Sequence, residues 1–284
     1  MAQIEKESIV LKILIYIFIL VLFVWIGLPF YWMFLSSIKP VSELTALPPT
    51  YWPRSPMFSN YVAVWTAIPF LQQMLNSLYI TSLTVIISLV LTATTSYSLS
   101  RFNFKGKNFV IGFFLFVQLV PLTVYLIPLY FTLLNLRLIN RIFGLVICYG
   151  IIGIPYMALM LRSYFKNAYP QELEEAAIID GCSRFGTFIR IGLPLTRTGL
   201  IAVSIMTAIN TWKEFLFASI VLRRGAYRPV SVGIFDLVGE FGLSFNRMGV
   251  FMTACTLVCV PLIVGFLFVQ RYIVDGISGG AVKG

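Results

Sequence analysis

Long stretches without a charged side chain dominate the pattern of apolar and polar residues along this chain. A helix needs about 20 mostly apolar residues to cross the hydrocarbon core of a bilayer, and uncharged runs cover residues 13–38, 55–100, 108–136, 142–161 and 248–270. The run at 55–100 is polar at its start, and a further apolar segment at 195–222 is interrupted by Lys213 and Glu214. The pattern predicts six transmembrane helices, near residues 10–36, 76–100, 109–135, 141–164, 195–222 and 248–272.

The composition agrees with a membrane protein. Hydrophobic residues make up 59% of the 284 residues and charged residues only 11%, whereas an ordinary soluble domain has roughly 25% charged residues. We therefore expect an all-α integral membrane protein with a single transmembrane domain over residues 1–284. The first apolar segment exceeds the roughly 7–15 residues of a signal-peptide core and has no small-residue cleavage site after it, so we expect it to remain as an anchor.

The distribution of Lys and Arg predicts the orientation in the membrane. Six spans put both termini on one side, and that side carries 12 of these residues: Lys6, Lys12, Arg101, Lys105, Lys107, Arg162, Lys166, Arg184, Arg190, Arg197, Arg271 and Lys283. The opposite side carries 8: Lys39, Arg54, Arg137, Arg141, Arg223, Arg224, Arg228 and Arg247. The positive-inside rule places the richer side, with both termini, in the cytoplasm.

A cytoplasmic loop at residues 170–194 is too charged to lie in hydrocarbon and is patterned as two short helices. Pro170 suits the first helical position, and acidic residues, which the helix dipole favours, crowd the first turns: Glu172, Glu174 and Glu175. Gly181 can adopt the left-handed conformation that ends a helix. Ser183 can then cap the second helix.

Each of these two short helices is expected to carry an apolar face. The first face comprises Leu173, Ala176 and Ala177, and the second comprises Phe185, Phe188 and Ile189. The loop could lie on lipid headgroups or against its own bundle, or it could fit the groove of a partner protein. The acidic first helix argues against nucleic acid, because phosphates would repel it.

The loop also carries a family resemblance. Glu175-Ala176-Ala177, followed by Gly181 and then by Ile191-Gly192-Leu193-Pro194, resembles the loop motif of permeases from binding-protein-dependent ABC importers. Other segments resemble the sugar-importer branch, and within it the second permease of maltose-type systems: NSLYITSLT at 76–84, RFNFKGK at 101–107, IPLY at 127–130, EFLFA at 214–218 and GAVKG at 280–284. The resemblance covers most of the chain.

The resemblance implies a permease subunit of an ATP-driven importer in the bacterial plasma membrane, translocating a sugar, an oligosaccharide or a sugar derivative into the cytoplasm. Its implied partners are a second permease subunit, a cytoplasmic ATPase dimer, an extracytoplasmic solute-binding protein and membrane lipid. The loop would be the coupling helix that docks on the ATPase, through Glu174, Glu175, Ala176, Ala177, Asp180, Gly181, Arg184, Ile191, Leu193 and Pro194.

The same resemblance implies that this chain is not an enzyme. ATP and Mg would be bound by the partner ATPase, so we expect no cofactor in this chain. The sequence agrees, because it lacks the phosphate-binding pattern GxxxxGK[ST]. We also expect no metal site, since the chain has no His and three of its four cysteines fall inside predicted spans.

Lys213 and Glu214 are the charges that lie well inside a predicted span. Such residues usually face a cavity or a partner, because a charge in hydrocarbon is costly. We therefore expect them at the transport pathway or at a subunit interface. The alternative is that they lie near the outer end of the fifth span and reach water.

Two other functions remain open on the residues alone. An ion-coupled secondary transporter usually has carboxylates or broken helices at mid-membrane and inverted repeats, whereas this sequence has one carboxylate inside a span and no evident repeat. A structural membrane subunit without a transport path is the third hypothesis. The sequence does not name the sugar.

Overall fold

The computed structural model describes residues 9–223, 226–238 and 247–281, and every regular element in these ranges is helical. The all-α prediction is therefore confirmed. In chain order the helices are α1 (Ile9–Ser37), α2 (Val41–Leu44), α3 (Asn60–Ala67), α4 (Phe70–Arg101), α5 (Lys107–Leu119), α6 (Leu122–Asn135), α7 (Ile142–Ile152), α8 (Ile154–Ala168), α9 (Gln171–Ile179), α10 (Arg184–Thr187), a π-helical segment (Phe188–Gly192), α11 (Leu193–Leu195), α12 (Arg197–Lys213), α13 (Leu216–Val221), α14 (Val230–Gly233), a 3₁₀ turn (Ile234–Leu237) and α15 (Met248–Ala281).

Three of these helices are long and apolar enough to cross a membrane unaided. They are α1, α4 and the first part of α15, and they match the first, second and sixth predicted spans. No residue of α1 from Leu11 to Phe34 is buried within the protein, whereas Leu35, Ser36 and Ser37 at its end are buried. Up to Phe34 the large side chains face outward, as suits a helix surrounded by lipid.

The third and fourth predicted spans are each broken into two helices. A bend of 102° separates α5 from α6, and a bend of 50° separates α7 from α8. Val120 is extended because it precedes Pro121, whose ring disfavours helical geometry in the preceding residue. Pro155 lies in the first turn of α8, where it cannot donate a hydrogen bond back to α7. The predicted spans at 109–135 and 141–164 therefore each correspond to a bent pair of helices.

The fifth predicted span, at 195–222, is also interrupted. It comprises α12 and α13, which are separated at Glu214 and Phe215. The stretch Arg184–Leu195 precedes it at an angle of 77° to α12. Three long helices and three bent pairs give up to six spans, which is the predicted number, but the third bent pair joins α12 to Arg184–Leu195 rather than to α13.

The chain forms two compact units, the first built on the described residues up to 70 and from 234 to 260. Ser37, at the end of α1, makes hydrogen bonds to two other helices of this unit. Its carbonyl accepts hydrogen bonds from Asn60 Nδ2 at 2.9 Å and from Thr253 Oγ1 at 3.1 Å, and its hydroxyl lies 2.9 Å from Tyr61 OH. These contacts join α1, α3 and α15.

The second unit comprises the described residues from 71 to 233 and from 261 onward. One apolar cluster packs α7 and α13 around Leu145, Phe217 and Val221. The other packs α4, α8 and the loop after α8 around Tyr97, Phe165, Tyr169 and Phe188. The prediction of a single domain remains a prediction.

Small polar side chains line the buried face of α4 and let neighbouring helices approach closely. Thr84, Ser88, Thr92 and Ser96 are all buried there, and Ser96 Oγ donates to the Ala158 carbonyl of α8 at 3.0 Å. Gly199 of α12 serves the same purpose, because an added Cβ would lie only 2.5 Å from Cγ of Tyr164.

Candidate functional site

The first half of the loop at 170–194 is the helix α9, closed by a left-handed glycine. Pro170 occupies the capping position just before the helix, rather than its first residue as predicted. Gly181 has φ of +88°, which confirms its predicted role. The Gly181 amide donates to the Ile178 carbonyl at 3.0 Å and the Cys182 amide donates to the Ala177 carbonyl at 2.9 Å. This pair of bonds is the Schellman motif.

The second half of the loop begins at Ser183, as predicted. Its hydroxyl accepts a hydrogen bond from the Gly186 amide at 3.1 Å, and so caps α10. The helix continues through the π-helical segment and α11 to Leu195, so Gly192 and Pro194 do not end it earlier. The loop therefore has the predicted two-helix form, with a sharp turn at 180–183.

The predicted apolar faces of the two helices are only partly buried within this chain. In α9 the buried residues are Glu174 and Ala177, while Leu173 and Ala176 are exposed. In the second helical stretch Phe188 is buried, whereas Phe185 and Ile189 are exposed. The contacts of Glu174, rather than the apolar side chains alone, determine which side of α9 faces the rest of the chain.

Glu174 is held by two residues from the end of α4. Tyr97 OH donates to Glu174 Oε1 at 2.6 Å, and Arg101 Nε lies 3.0 Å from Glu174 Oε2. The side chains of Arg101 and Glu174 are 8% and 6% exposed. Glu174 was expected to contact the ATPase, but the structure places its carboxylate inside this chain.

Arg101 also binds the end of α8. Its guanidinium donates to the carbonyl of Phe165 at 3.3 Å and to that of Tyr169, and its central carbon lies 4.3 Å from the Tyr169 ring centroid. Burial and, to a smaller extent, the charge of Glu174 raise the pKa of Tyr169 to about 12, although Arg101 opposes both effects. Tyr169 is therefore neutral at physiological pH.

The outer surface of the loop carries most of the other residues predicted to dock. Glu175, Ala176, Asp180, Gly181, Arg184 and Pro194 are exposed, Ile191 and Leu193 are half-buried, and Ala177 is buried. The guanidinium carbon of Arg184 lies 5.4 Å from the Phe102 ring centroid. Beside them, Ile179 is 85% exposed and Phe185 is 69% exposed. The loop thus presents large apolar side chains among charges, and these two are the most exposed of them.

A second arrangement surrounds the break between α12 and α13. Glu214 Oε1 accepts a hydrogen bond from the Phe217 amide at 2.7 Å, and Oε2 accepts one from the Ala218 amide at 3.0 Å. Tyr149 OH of α7 also donates to Oε2. Glu214 therefore caps α13, and its charge is compensated by backbone and tyrosine donors.

A cavity of about 690 Å³ lies beside this break. Aromatic and polar side chains share its lining with aliphatic ones: Tyr149, Tyr156, Phe215, Phe217, Asn210, Thr211, Lys213 and Glu214. Lys213 is exposed, and both predicted in-span charges are at this cavity. A volume of roughly 300–1,000 Å³ accommodates a small-molecule ligand.

Sequence reasoning missed Tyr97, Arg101 and Tyr149. Arg101 belongs to the segment RFNFKGK, but only the fold brings it to Glu174. No sequence pattern marked Tyr149 as the partner of Glu214, because a tyrosine in an apolar helix has no local feature that identifies its contacts. The lining of the cavity depends on the helix break, whose position the sequence did not reveal.

The fold and these two arrangements define a multi-pass membrane transport subunit, and comparisons with known proteins identify its family. Residues 85–279 match the family described as the binding-protein-dependent transport system inner membrane component. The chain belongs to this family and is a membrane-spanning permease of an ABC importer, as the loop motif predicted.

Two relatives and one solved structure illustrate the family. The chain is 32% identical to the diacetylchitobiose uptake system permease protein DasC of Streptomyces coelicolor, covering 93% of this chain and 94% of that protein. It is 30% identical to the sulfoquinovosyl glycerol transport system permease protein SmoH of Agrobacterium fabrum, covering 90% and 88%. A bacterial ABC transporter for the acidic polysaccharide alginate has the same fold, with a TM-score of 0.80, 20% identity and coverage of 94% and 99%.

Proposed function

We propose that this chain is one of two permease subunits that form the membrane path of an ATP-driven importer for a sugar, an oligosaccharide or a sugar derivative. The relatives named for diacetylchitobiose and sulfoquinovosyl glycerol support this class of solute. A cytoplasmic ATPase dimer binds ATP and Mg, and an extracytoplasmic binding protein delivers the solute. Both termini lie in the cytoplasm of a bacterial cell.

The loop at 170–194 is the observation that carries this proposal. Its turn at Gly181 projects a compact knob, on which Ile179 and Phe185 are exposed beside Glu175 and Asp180. Apolar anchors on a short helix, surrounded by charge, suit a groove on a partner protein. When ATP closes the two ATPase subunits, the knobs move with them and the spans rotate to open outward.

The cavity beside the α12–α13 break is our candidate for part of the solute path. Tyr149 and Tyr156 provide aromatic surfaces for the C–H faces of a sugar ring, while Asn210, Thr211 and Lys213 provide polar groups for its hydroxyls. A helix break at membrane depth is tolerated where the backbone is buried in protein or lines a cavity. The other candidate role for this cavity is to receive a helix of the second permease.

Uptake into proteoliposomes tests the proposal. The permease pair, the ATPase dimer and the binding protein are reconstituted and offered labelled neutral and acidic oligosaccharides. We expect uptake that requires both ATP and the binding protein. Uptake driven by an ion gradient without ATP would instead support a secondary transporter, and an assembled complex that moves no saccharide would support a structural subunit.

The cavity is tested in the same assay. Asn210→Ala and Lys213→Ala should raise the KM for the transported saccharide, while Lys105→Ala, at an exposed position in another loop, should not. If the KM is unchanged but the two permeases separate during purification, the cavity belongs to the subunit interface.

A further inference from the structure

Glu174 differs from its acidic neighbours in the loop at 170–194, which is named the docking loop after its proposed role. Glu172 and Glu175 are exposed, whereas Glu174 is buried against α4. A buried carboxylate is costly unless it is paired and hydrogen-bonded. Tyr97 and Arg101 supply both kinds of contact, at 2.6 Å and 3.0 Å. The chain thus buries an ion pair in the loop that is proposed to meet the ATPase.

Arg101 lies between two negative regions of the structure. Its guanidinium donates to the carbonyls of Phe165 and Tyr169, at the carboxyl end of α8. The final carbonyls of a helix have no partner within that helix and favour a cation. The same guanidinium faces Glu174 near the start of α9. One side chain of α4 therefore connects the end of α8 to the start of α9.

Aromatic packing extends these connections to the second half of the loop. The Tyr97 ring lies 4.7 Å from that of Phe188, in the π-helical segment, and 5.8 Å from that of Phe165. Gly192 packs closely beside them, because an added Cβ would lie 3.3 Å from Tyr169 Cε1. Both halves of the loop are consequently fixed to the final turns of α4.

We propose that Tyr97, Arg101 and Glu174 form a positioning cluster that makes the docking loop and α4 move together. The proposal rests on the proposed function, in which the loop docks on the ATPase. Glu174 then acts inside the permease and does not contact the ATPase. The cluster transmits displacement of the loop to α4, and its loss leaves docking intact while the spans respond less.

The test uses matched variants in the complete importer. Glu174→Gln and Arg101→Gln each leave one buried charge unpaired, and the double variant removes both charges. Glu172→Gln is the exposed control on the same helix, and Glu175→Gln is the comparison for a residue of the proposed docking surface. Co-purification of the ATPase measures docking, and saccharide uptake per ATP hydrolysed measures coupling. We expect the single cluster variants to retain the ATPase but to lose at least about fivefold in uptake per ATP, in the range of coupling energies between linked sites.

The double variant discriminates a cluster from two independent residues. Residues that act as a unit are non-additive, so the double variant should be no worse than the worse single variant. The proposal would be overturned if the loss of uptake per ATP in the double variant equalled the product of the two single losses. It would also be overturned if uptake per ATP were unchanged in all variants. Loss of the ATPase from Glu174→Gln, matching or exceeding its loss from Glu175→Gln, would place Glu174 in the docking surface instead.

Two further measurements keep the outcome clear. Tyr97→Phe removes a single hydroxyl, so it should fold even if the charge variants do not, and it should reduce coupling less than they do. Hydrogen exchange of α9 amides requires no transport assay: exchange should accelerate in Tyr97→Phe and in Glu174→Gln. Unchanged exchange would refute anchoring of the loop by this cluster, whereas failure of the wild-type complex to bind the ATPase would refute the proposed function.

Discussion

At the scale of single residues, two glycines show how one backbone conformation can serve different purposes. Gly106 and Gly181 have φ of +93° and +88°, and an added Cβ would meet no atom within 4 Å at either position. The cost of a side chain is therefore conformational rather than steric at both. Gly106 immediately precedes α5, whereas Gly181 sets the direction in which the second half of the docking loop leaves α9. Equal strain should thus have unequal functional effects.

We expect Gly181→Leu to weaken both ATPase binding and saccharide uptake. A residue with a Cβ in the left-handed backbone conformation costs roughly 1–2 kcal/mol. If the substituted residue left this conformation, the second half of the loop would point in a different direction. Gly106→Leu is the control with the same backbone strain. The measurements are co-purification of the ATPase and uptake. Equal effects of the two substitutions would show that strain, rather than the aim of the loop, limits assembly.

Gly199→Ala should destabilise the permease by about 1–3 kcal/mol, the usual cost of overpacking a core. The added methyl would collide with Tyr164, at 2.5 Å from its Cγ, and force α8 and α12 apart. Gly112→Ala in α5 meets no atom within 4 Å and should stabilise the helix by up to about 1 kcal/mol. Thermal unfolding in detergent measures both variants, and a Tm for Gly199→Ala at or above that of the wild type would contradict this packing.

At the scale of secondary structure, the break between α12 and α13 divides the fifth predicted span at a carboxylate. Glu214 accepts hydrogen bonds from two amides of α13 and from Tyr149, and its own carbonyl accepts one from Ser231 Oγ at 2.7 Å. The side chain that interrupts the apolar segment therefore accepts the free amides at the start of the next helix. It also ties α7 and α14 to the break.

Removal of this cap should loosen α13. We expect Glu214→Leu to lower stability by about 0.5–2 kcal/mol, the range for loss of a helix cap, and Glu214→Gln to lower it less, because the amide oxygen still accepts one bond. A double-mutant cycle with Tyr149→Phe should be non-additive, since the two residues are in contact. If the changes in Tm in the cycle were additive, or if the Glu214→Gln variant were as unstable as the Glu214→Leu variant, Glu214 would not be acting as the cap of α13.

Local signals and distant contacts explain which elements could be predicted from the sequence. The turn at Gly181 and the cap at Ser183 depend on residues within a few positions, so the sequence predicted them. The burial of Glu174 depends on Arg101, which is distant in the sequence, so the sequence could not show which side of α9 is buried. The apolar segments predicted the spans, but Pro and Gly are common in membrane helices, so they did not identify the breaks.

At the scale of the whole molecule, the distribution of cysteines allows the orientation to be measured. Cys182 lies in the turn of the docking loop, while Cys148, Cys255 and Cys259 lie in helices within predicted spans. Thiolates form more readily in contact with water than in an apolar interior. A membrane-impermeant thiol reagent therefore distinguishes the loop from the spans.

We expect the reagent to modify Cys182 in inside-out vesicles and not in intact cells. Cys182→Ser is the control and should abolish most of the labelling. Binding of the ATPase should slow the reaction, because the turn is at the proposed contact. Labelling of intact cells would reverse the proposed orientation, and labelling that ignores the ATPase would retain the orientation while removing the turn from the contact.

The exposure of α1 has a consequence for the order in which the protein is made. No residue of this helix from Leu11 to Phe34 is buried within the protein. Its side chains can therefore reach their final surroundings in lipid before the later helices have been synthesised, since association between helices in a membrane follows their insertion as a separate step. In the second unit α4 must instead await α8, because the buried Ser96 Oγ of α4 donates a hydrogen bond to the Ala158 carbonyl, and α8 is synthesised later.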